Sequence, residues 1–403
     1  VSLIRGDALT IPLADDSVDL IVTSPPYFAL RSYTDEGEHY AGQLGSEATP
    51  AAFIDALIGV TGECVRVLKP SGSLFVNLGD KYAGSGGHNN SGISDHGGAN
   101  GDRGPSAYNQ ASDGVRTKSL MGLPWRYALA CIDDLGLILR AEIIWSKPNG
   151  LPESVQDRVR RSHEQWFHFT LEPRYYSAVD EIREAQLHPA GTQAAGTSVR
   201  SRTAANQGWA LSCQYDAPNP LGKLPGSVWS IPTEPLQVPD DLPQHFAAFP
   251  SEFPRRIILG WSPSGICCEC GEGRRPVTDV DEPNRRAFAH GQQRKRSVVI
   301  SGGIGTENLG IPAEERNRRI TGESCACPTP DAPTRPAVIL DPFAGTGTTV
   351  AVANHLGRHG IGIDLSAAYL RLARWRCQDP GLRAKVLRVD KPAPEVPGQM
   401  ALL

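Results

Sequence analysis

The chain has 403 residues, 40% hydrophobic and 21% charged, with a formal net charge of −4. That length and balance suit one large α/β domain with insertions, or two domains of ordinary composition. They exclude a globally basic nucleic-acid binder, so any such contact must rest on local patches. No stretch approaches the roughly 20 apolar residues of a helical membrane crossing.

Val1-Ser2-Leu3-Ile4-Arg5-Gly6-Asp7 reads as a strand and turn rather than a signal peptide, so a cytoplasmic protein is expected. Val18, Leu20, Ile21 and Val22 predict a short buried strand that Pro25-Pro26 stops. Residues 51–68 carry apolar side chains at helical spacing and end in the turn Lys69-Pro70-Ser71-Gly72. A strand is expected over 73–78. Residues 83–114 are rich in Gly, Ser, Asn and Asp and predict a long flexible loop.

A helix over 120–135 and a strand over 137–145 follow, the strand closed by Lys147-Pro148-Asn149-Gly150. Another strand is expected over 165–170, and regular patterning fades over 182–226. A helix is expected over 253–261, a strand over 337–340, a helix over 347–356, a strand over 360–364 and a helix over 366–377. Strand–helix alternation of this kind implies a doubly wound, mostly parallel sheet.

Asp341-Pro342-Phe343-Ala344-Gly345-Thr346-Gly347-Thr348-Thr349 links a buried strand to a helix through a glycine-containing turn. Gly345 and Gly347 let backbone approach a ligand, and such sheets bind ligands at the carboxyl ends of their strands. Asp364 ends the next strand, placed to accept hydrogen bonds from ribose hydroxyls. A phosphate-binding P-loop is excluded by the lack of its lysine, and Val350 stands where a dinucleotide loop has its third glycine. Asp341 at the loop mouth suits a cationic ligand such as S-adenosylmethionine.

Thr23-Ser24-Pro25-Pro26-Tyr27 suits a planar base bearing an amine. Such an amine is a poor nucleophile until its N–H groups find acceptors. Ser24 Oγ and the Pro25 carbonyl offer two, Pro26 stiffens the turn, and Tyr27 can stack on the base. A duplex base reaches such a pocket only when flipped out. No Pro-Cys nucleophile is present, which disfavours covalent attack on a ring carbon.

Both motifs resemble those of the amino-methylating DNA methyltransferases whose T-S-P-P-Y loop precedes their D-P-F-x-G-x-G-T-T loop. The resemblance extends to Arg66-Val67-Leu68-Lys69-Pro70-Ser71-Gly72-Ser73-Leu74, to Ile143-Ile144-Trp145-Ser146-Lys147-Pro148-Asn149, to Ser162-His163-Glu164 and to Phe249-Pro250. It implies a Rossmann-like α/β fold with circularly permuted motif order, S-adenosylmethionine as cofactor and double-stranded DNA as partner. A cognate restriction endonuclease is a possible companion. It also implies that Phe249 packs near the cofactor and that Asp7 lies at the strand end reaching the cofactor's adenine. The implied cofactor set is Asp7, Phe249, Asp341, Phe343, Gly345, Gly347, Thr348 and Asp364; the catalytic set is Ser24, Pro25, Pro26 and Tyr27. Serine at position 24, where adenine enzymes usually carry aspartate, implies the N4 of cytosine, with adenine N6 as the alternative. An inactive zinc-stabilised DNA-binding protein is the alternative of another class.

Five of nine cysteines gather as Cys267-Cys268-Glu269-Cys270 and Cys325-Ala326-Cys327. Cys267, Cys270, Cys325 and Cys327 supply four thiolates, enough for a closed tetrahedral zinc site that staples the ends of an insert. The expected organisation is a catalytic half over 1–181, a target-recognition region over 182–226 and a cofactor half over 227–265 and 337–380. A zinc-ribbon-like insert over 266–336 completes it. Arg158-Val159-Arg160-Arg161, Arg255-Arg256 and Arg294-Lys295-Arg296 are the candidate phosphate contacts.

Overall fold

A computed structural model describes residues 1–29, 34–35, 38–39, 43–84, 115–150, 152–185, 221–236, 238, 249–279, 319–327, 329 and 332–390. Most of the expected loop over 83–114, most of the recognition region over 182–226 and the basic cluster at 294–296 lie outside them.

Eight strands form one sheet. In chain order they are β1 (Ser2–Arg5), β2 (Val18–Thr23), β3 (Leu68–Leu78), β4 (Ile138–Ser146), β5 (His163–Thr170), β6 (Val228–Ser230), β7 (Val338–Asp341) and β8 (His359–Asp364). Their spatial order is β1-β8-β7-β2-β3-β5-β4-β6. β1, β8, β7, β2 and β3 run parallel to one another, and β6 is parallel to β4, while β5 is antiparallel to both β3 and β4. The sheet is mixed, with β5 the one strand running against the rest.

The pattern of β2 explains its central place. All six residues are buried, as expected of a strand covered on both faces. Ile21 points into a core shared with α1 (Pro50–Val67) and α2 (Leu123–Asp133). Leu20 and Val22 point into a second core with α3 (Glu252–Trp261), α4 (Thr348–His355) and α6 (Pro380–Leu387). Helix α1 starts where Thr49 Oγ1 accepts the Ala52 N–H at 3.1 Å and Pro50 occupies the first turn. It buries Phe53, Ile54, Leu57, Val60, Cys64 and Val67, one stripe at helical spacing. Ser366 caps α5 (Ala367–Arg376) and Asp379 caps α6 in the same way.

Between α3 and β7 the chain makes two small ladders. Ile266–Cys267 pairs antiparallel with Thr334–Arg335, and Arg275–Asp279 pairs with Arg319–Ser324. The first ladder leads straight into β7. Among the described residues no helix is long and apolar enough to cross a membrane.

Candidate active site

Parallel pairing sets the site. Leu20 lies opposite Ile339 and Ile21 opposite Leu340, so β2 and β7 end at the same edge of the sheet. Residues 24–27 and 342–347 therefore leave the sheet side by side, although more than 300 positions separate them in sequence. A buried hydrogen bond ties them: Thr23 Oγ1 donates to Asp341 Oδ1 at 2.7 Å. Thr23, Pro25, Pro342 and Phe343 also line one narrow cavity with Leu57, Thr61, Cys64 and Tyr127.

Asp341 is 1% exposed. Burial pushes its carboxyl up to about 6 and the nearby Asp364 charge adds to that; the bonds from Thr23 and the Phe343 N–H oppose it. Gly345 (φ +48°) and Gly347 (φ +74°) turn the backbone through the left-handed region. A Cβ on Gly345 would come no nearer than 4.0 Å to the Phe343 carbonyl, whereas one on Gly347 would strike Ala373 at 2.5 Å. The first glycine is thus free to face a ligand, and the second lets α4 lie against α5. Gly345 N–H donates to Asp364 Oδ2 at 2.8 Å, and Ser366 N–H donates to Asp364 Oδ1 at 2.8 Å. The buried Arg376 donates to the Thr346 carbonyl and to the hydroxyls of Thr346 and Thr348 at 2.7–3.2 Å, holding the loop from behind.

Asp7 stands at the end of β1, where Gly6 N–H donates to the Asp364 carbonyl at 3.1 Å. The expected cofactor residues Asp7, Asp341, Phe343, Gly345, Gly347, Thr348 and Asp364 are thus gathered at one edge. Phe249 packs edge-on against Trp166, ring centroids 5.4 Å apart, at the margin of the second core.

Ser24, Pro26 and Tyr27 are half-buried and Pro25 is buried. Ser24 Oγ donates to Asn77 Oδ1 at 3.3 Å. The Tyr27 hydroxyl lies 2.9 Å from both Asn77 Oδ1 and Glu164 Oε2, two acceptors for one proton. Glu164 is paired with Lys147, whose ammonium stands 4.1 Å from the Trp145 ring centroid. Gly79 makes room for the tyrosine ring: a Cβ there would come within 2.6 Å of it.

Asn77 and Glu164 were missed as site residues from sequence. Asn77 sits next to the end of β3, in an apolar run. Glu164 belongs to the Ser162-His163-Glu164 segment of the resemblance, yet only antiparallel pairing of β5 brings its first residues to this edge. The basic cluster after 157 is largely engaged: Arg158 pairs with Glu153 and stacks 3.9 Å over Tyr82, and Arg161 pairs with Asp80 at 3.4 Å.

Cys267, Cys270, Cys325 and Cys327 converge, their sulfurs all within 4.8 Å of one another. A tetrahedral metal with ~2.3 Å bonds needs sulfurs ~3.8 Å apart, so a small inward movement completes the set. The turn between the first two is tight: Gly271 N–H donates to the Cys267 carbonyl at 3.0 Å with φ +74°. Backbone N–H groups of Cys270 and Glu269 hold the Cys267 thiol down to about 7.

A family model described as DNA methylase, N6_N4_Mtase, matches residues 18–267 and 334–374. The match omits 268–333, the segment between the two small-ladder strands. The chain is 35% identical over 268 residues to the Type II methyltransferase M.XycI of Xanthomonas campestris pv. cyanopsidis, covering 64% of this chain and 71% of that one. It is 30% identical over 376 residues to M.SmaI of Serratia marcescens, covering 93% and 89%. The structure of PvuII DNA methyltransferase (cytosine-N4-specific) matches with a TM-score of 0.50 at 15% identity, covering 96% of this chain and 90% of that one, a likeness of fold.

Proposed function

This chain belongs to the N6/N4 DNA methylase family, and from that premise we propose that it methylates the exocyclic N4 of a flipped-out cytosine with S-adenosylmethionine. The observation that carries the proposal is the Thr23–Asp341 bond. It holds an acceptor-rich base loop and a cation-suited cofactor loop at one sheet edge.

The cofactor supplies a methyl group on a sulfonium. A buried carboxyl at Asp341, the positive-φ turn at Gly345 and the Asp364 carboxylate form a cradle suited to a cationic, ribose-bearing ligand. Phe343, Thr348 and Asp7 flank it, while Phe249 packs at the margin of the second core. At the base loop, Ser24 Oγ and the Pro25 carbonyl accept the two N–H bonds of the amine. That would localise the nitrogen lone pair towards the methyl group that bound S-adenosylmethionine would supply. The amine then gives one proton to water. Tyr27 offers its ring to the flipped base. Direct transfer of this kind depends on alignment more than on a strong base.

Serine at position 24 favours cytosine over adenine, and the relation to Type II methyltransferases suggests a companion endonuclease. Zinc at Cys267, Cys270, Cys325 and Cys327 is the structural metal of this reading, because four sulfurs leave no open position for chemistry. Digestion of DNA methylated by the protein, followed by nucleoside analysis, should yield N4-methylcytosine; N6-methyladenine would transfer the activity to the other base. Metal analysis of native protein should find one zinc per chain, and its absence removes the metal from this reading.

A further inference from the structure

Asn77 is 1% exposed, yet three polar contacts converge on its side chain. Its Nδ2 donates to the Gln165 carbonyl at 3.0 Å, which fixes the amide's orientation. Its Oδ1 therefore faces the base loop, where it accepts the Ser24 hydroxyl at 3.3 Å and lies 2.9 Å from the Tyr27 hydroxyl. A serine hydroxyl has one proton and two lone pairs. With the proton committed to Asn77, Ser24 presents only lone pairs to whatever enters the pocket.

We propose that Asn77 is a specificity-determining positioning residue: it turns Ser24 into an obligate hydrogen-bond acceptor, so the pocket admits an exocyclic amine and rejects a carbonyl. This rests on the reading of residues 24–27 as the base-holding loop. A free serine can rotate and donate to an oxygen, which makes it a poor discriminator between cytosine and uracil. A serine held by a buried amide sets its lone pairs, with those of the Pro25 carbonyl, against the uracil O4. Tyr27 shares the same anchor, so stacking and amine recognition are set together.

The test compares binding to duplexes carrying cytosine or uracil at the mapped target position, with the cofactor product S-adenosylhomocysteine present. If the methylated base proves to be adenine, hypoxanthine takes the place of uracil; the inference then stands while the cytosine assignment falls. Each variant is measured on both duplexes, so any difference in flipping ease cancels between enzymes. Wild type should prefer the amine by about 100-fold. Asn77→Ala should reduce that preference to about tenfold or less, while cofactor affinity stays unchanged.

If Asn77→Ala does not fold, Ser24→Ala reads the same contact from the other side and should lower the preference to the same level. A folded Asn77→Ala protein with the wild-type preference overturns the inference, as does a Ser24→Ala protein with that preference. A wild-type protein that binds cofactor but methylates no DNA overturns the proposed function instead.

Discussion

The sheet edge carrying residues 23–27 and 341–349 and the cysteine cluster are both held in place by β-structure, but at very different depths. The edge grows from β2 and β7, flanked by paired strands and covered by helices on both faces. The cluster hangs on a two-residue ladder and an antiparallel strand pair whose described residues are mostly exposed or half-buried. Packing and buried hydrogen bonds, Thr23–Asp341 among them, set the geometry of the first. The second lacks enough buried apolar surface to hold its shape, and the proposed zinc on its four thiolates would supply what the core does not. A local change at the edge should therefore alter chemistry without unfolding, whereas loss of metal should loosen the insert and leave the core folded.

The largest expected effect breaks the edge. Ser24→Ala and Tyr27→Ala should each lower the methylation rate by ~10²–10³-fold, the scale for losing one preorganised contact at the reacting group. The melting midpoint should barely move in Ser24→Ala and should fall in Tyr27→Ala, whose ring packs against the first core, with the fold retained in both. Retained methylation in both variants would remove the catalytic assignment. Metal removal comes next. A strong chelator should expose the insert to proteolysis within 268–333 while the core unfolds at its former temperature, seen by limited digestion beside circular dichroism.

A smaller effect follows from Asp341. Its folded carboxyl titrates at about 6, above the ordinary 3.8. The folded state thus binds this proton more tightly than the unfolded chain does. Its contribution to cofactor-free stability is full below about 4 and is lost as pH rises towards 6. Cofactor affinity should run the opposite way, rising through pH 6 as the carboxylate forms and attracts the cationic ligand. Asp341→Asn should flatten both slopes, measurable by thermal shift and calorimetric titration. The smallest effect is expected at the Lys118–Asp157 pair, 80% and 61% exposed. Lys118→Ala should leave the melting midpoint essentially unchanged.

Much of this was legible in the residues themselves. The run Val18 to Val22, the stripe of α1 and the strand before Gly345 carry local signals strong enough to place the sheet and both loops. The pairing of β5 between β3 and β4 was not, because an antiparallel partner chosen across some 90 residues leaves no local mark. For that reason Glu164 stayed outside the expected site set, although its segment belongs to the resemblance. Asn77 was hidden for a different reason: one polar residue in an apolar strand shows its partners only when the neighbouring strand arrives. β6 and α6 were also missed, the first being only three residues long and the second weakly amphipathic. The four cysteines needed no fold to be noticed, only spacing.

The pairing of β2 with β7 has a consequence for the nascent chain. β2 is made more than 300 residues before β7, its partner on one side. At bacterial-scale elongation of ~5–20 residues per second, that edge stays bare for ~15–60 s on the ribosome. During that interval an apolar strand with open backbone donors is the segment most exposed to aggregation, and slowing translation should raise the share of insoluble product.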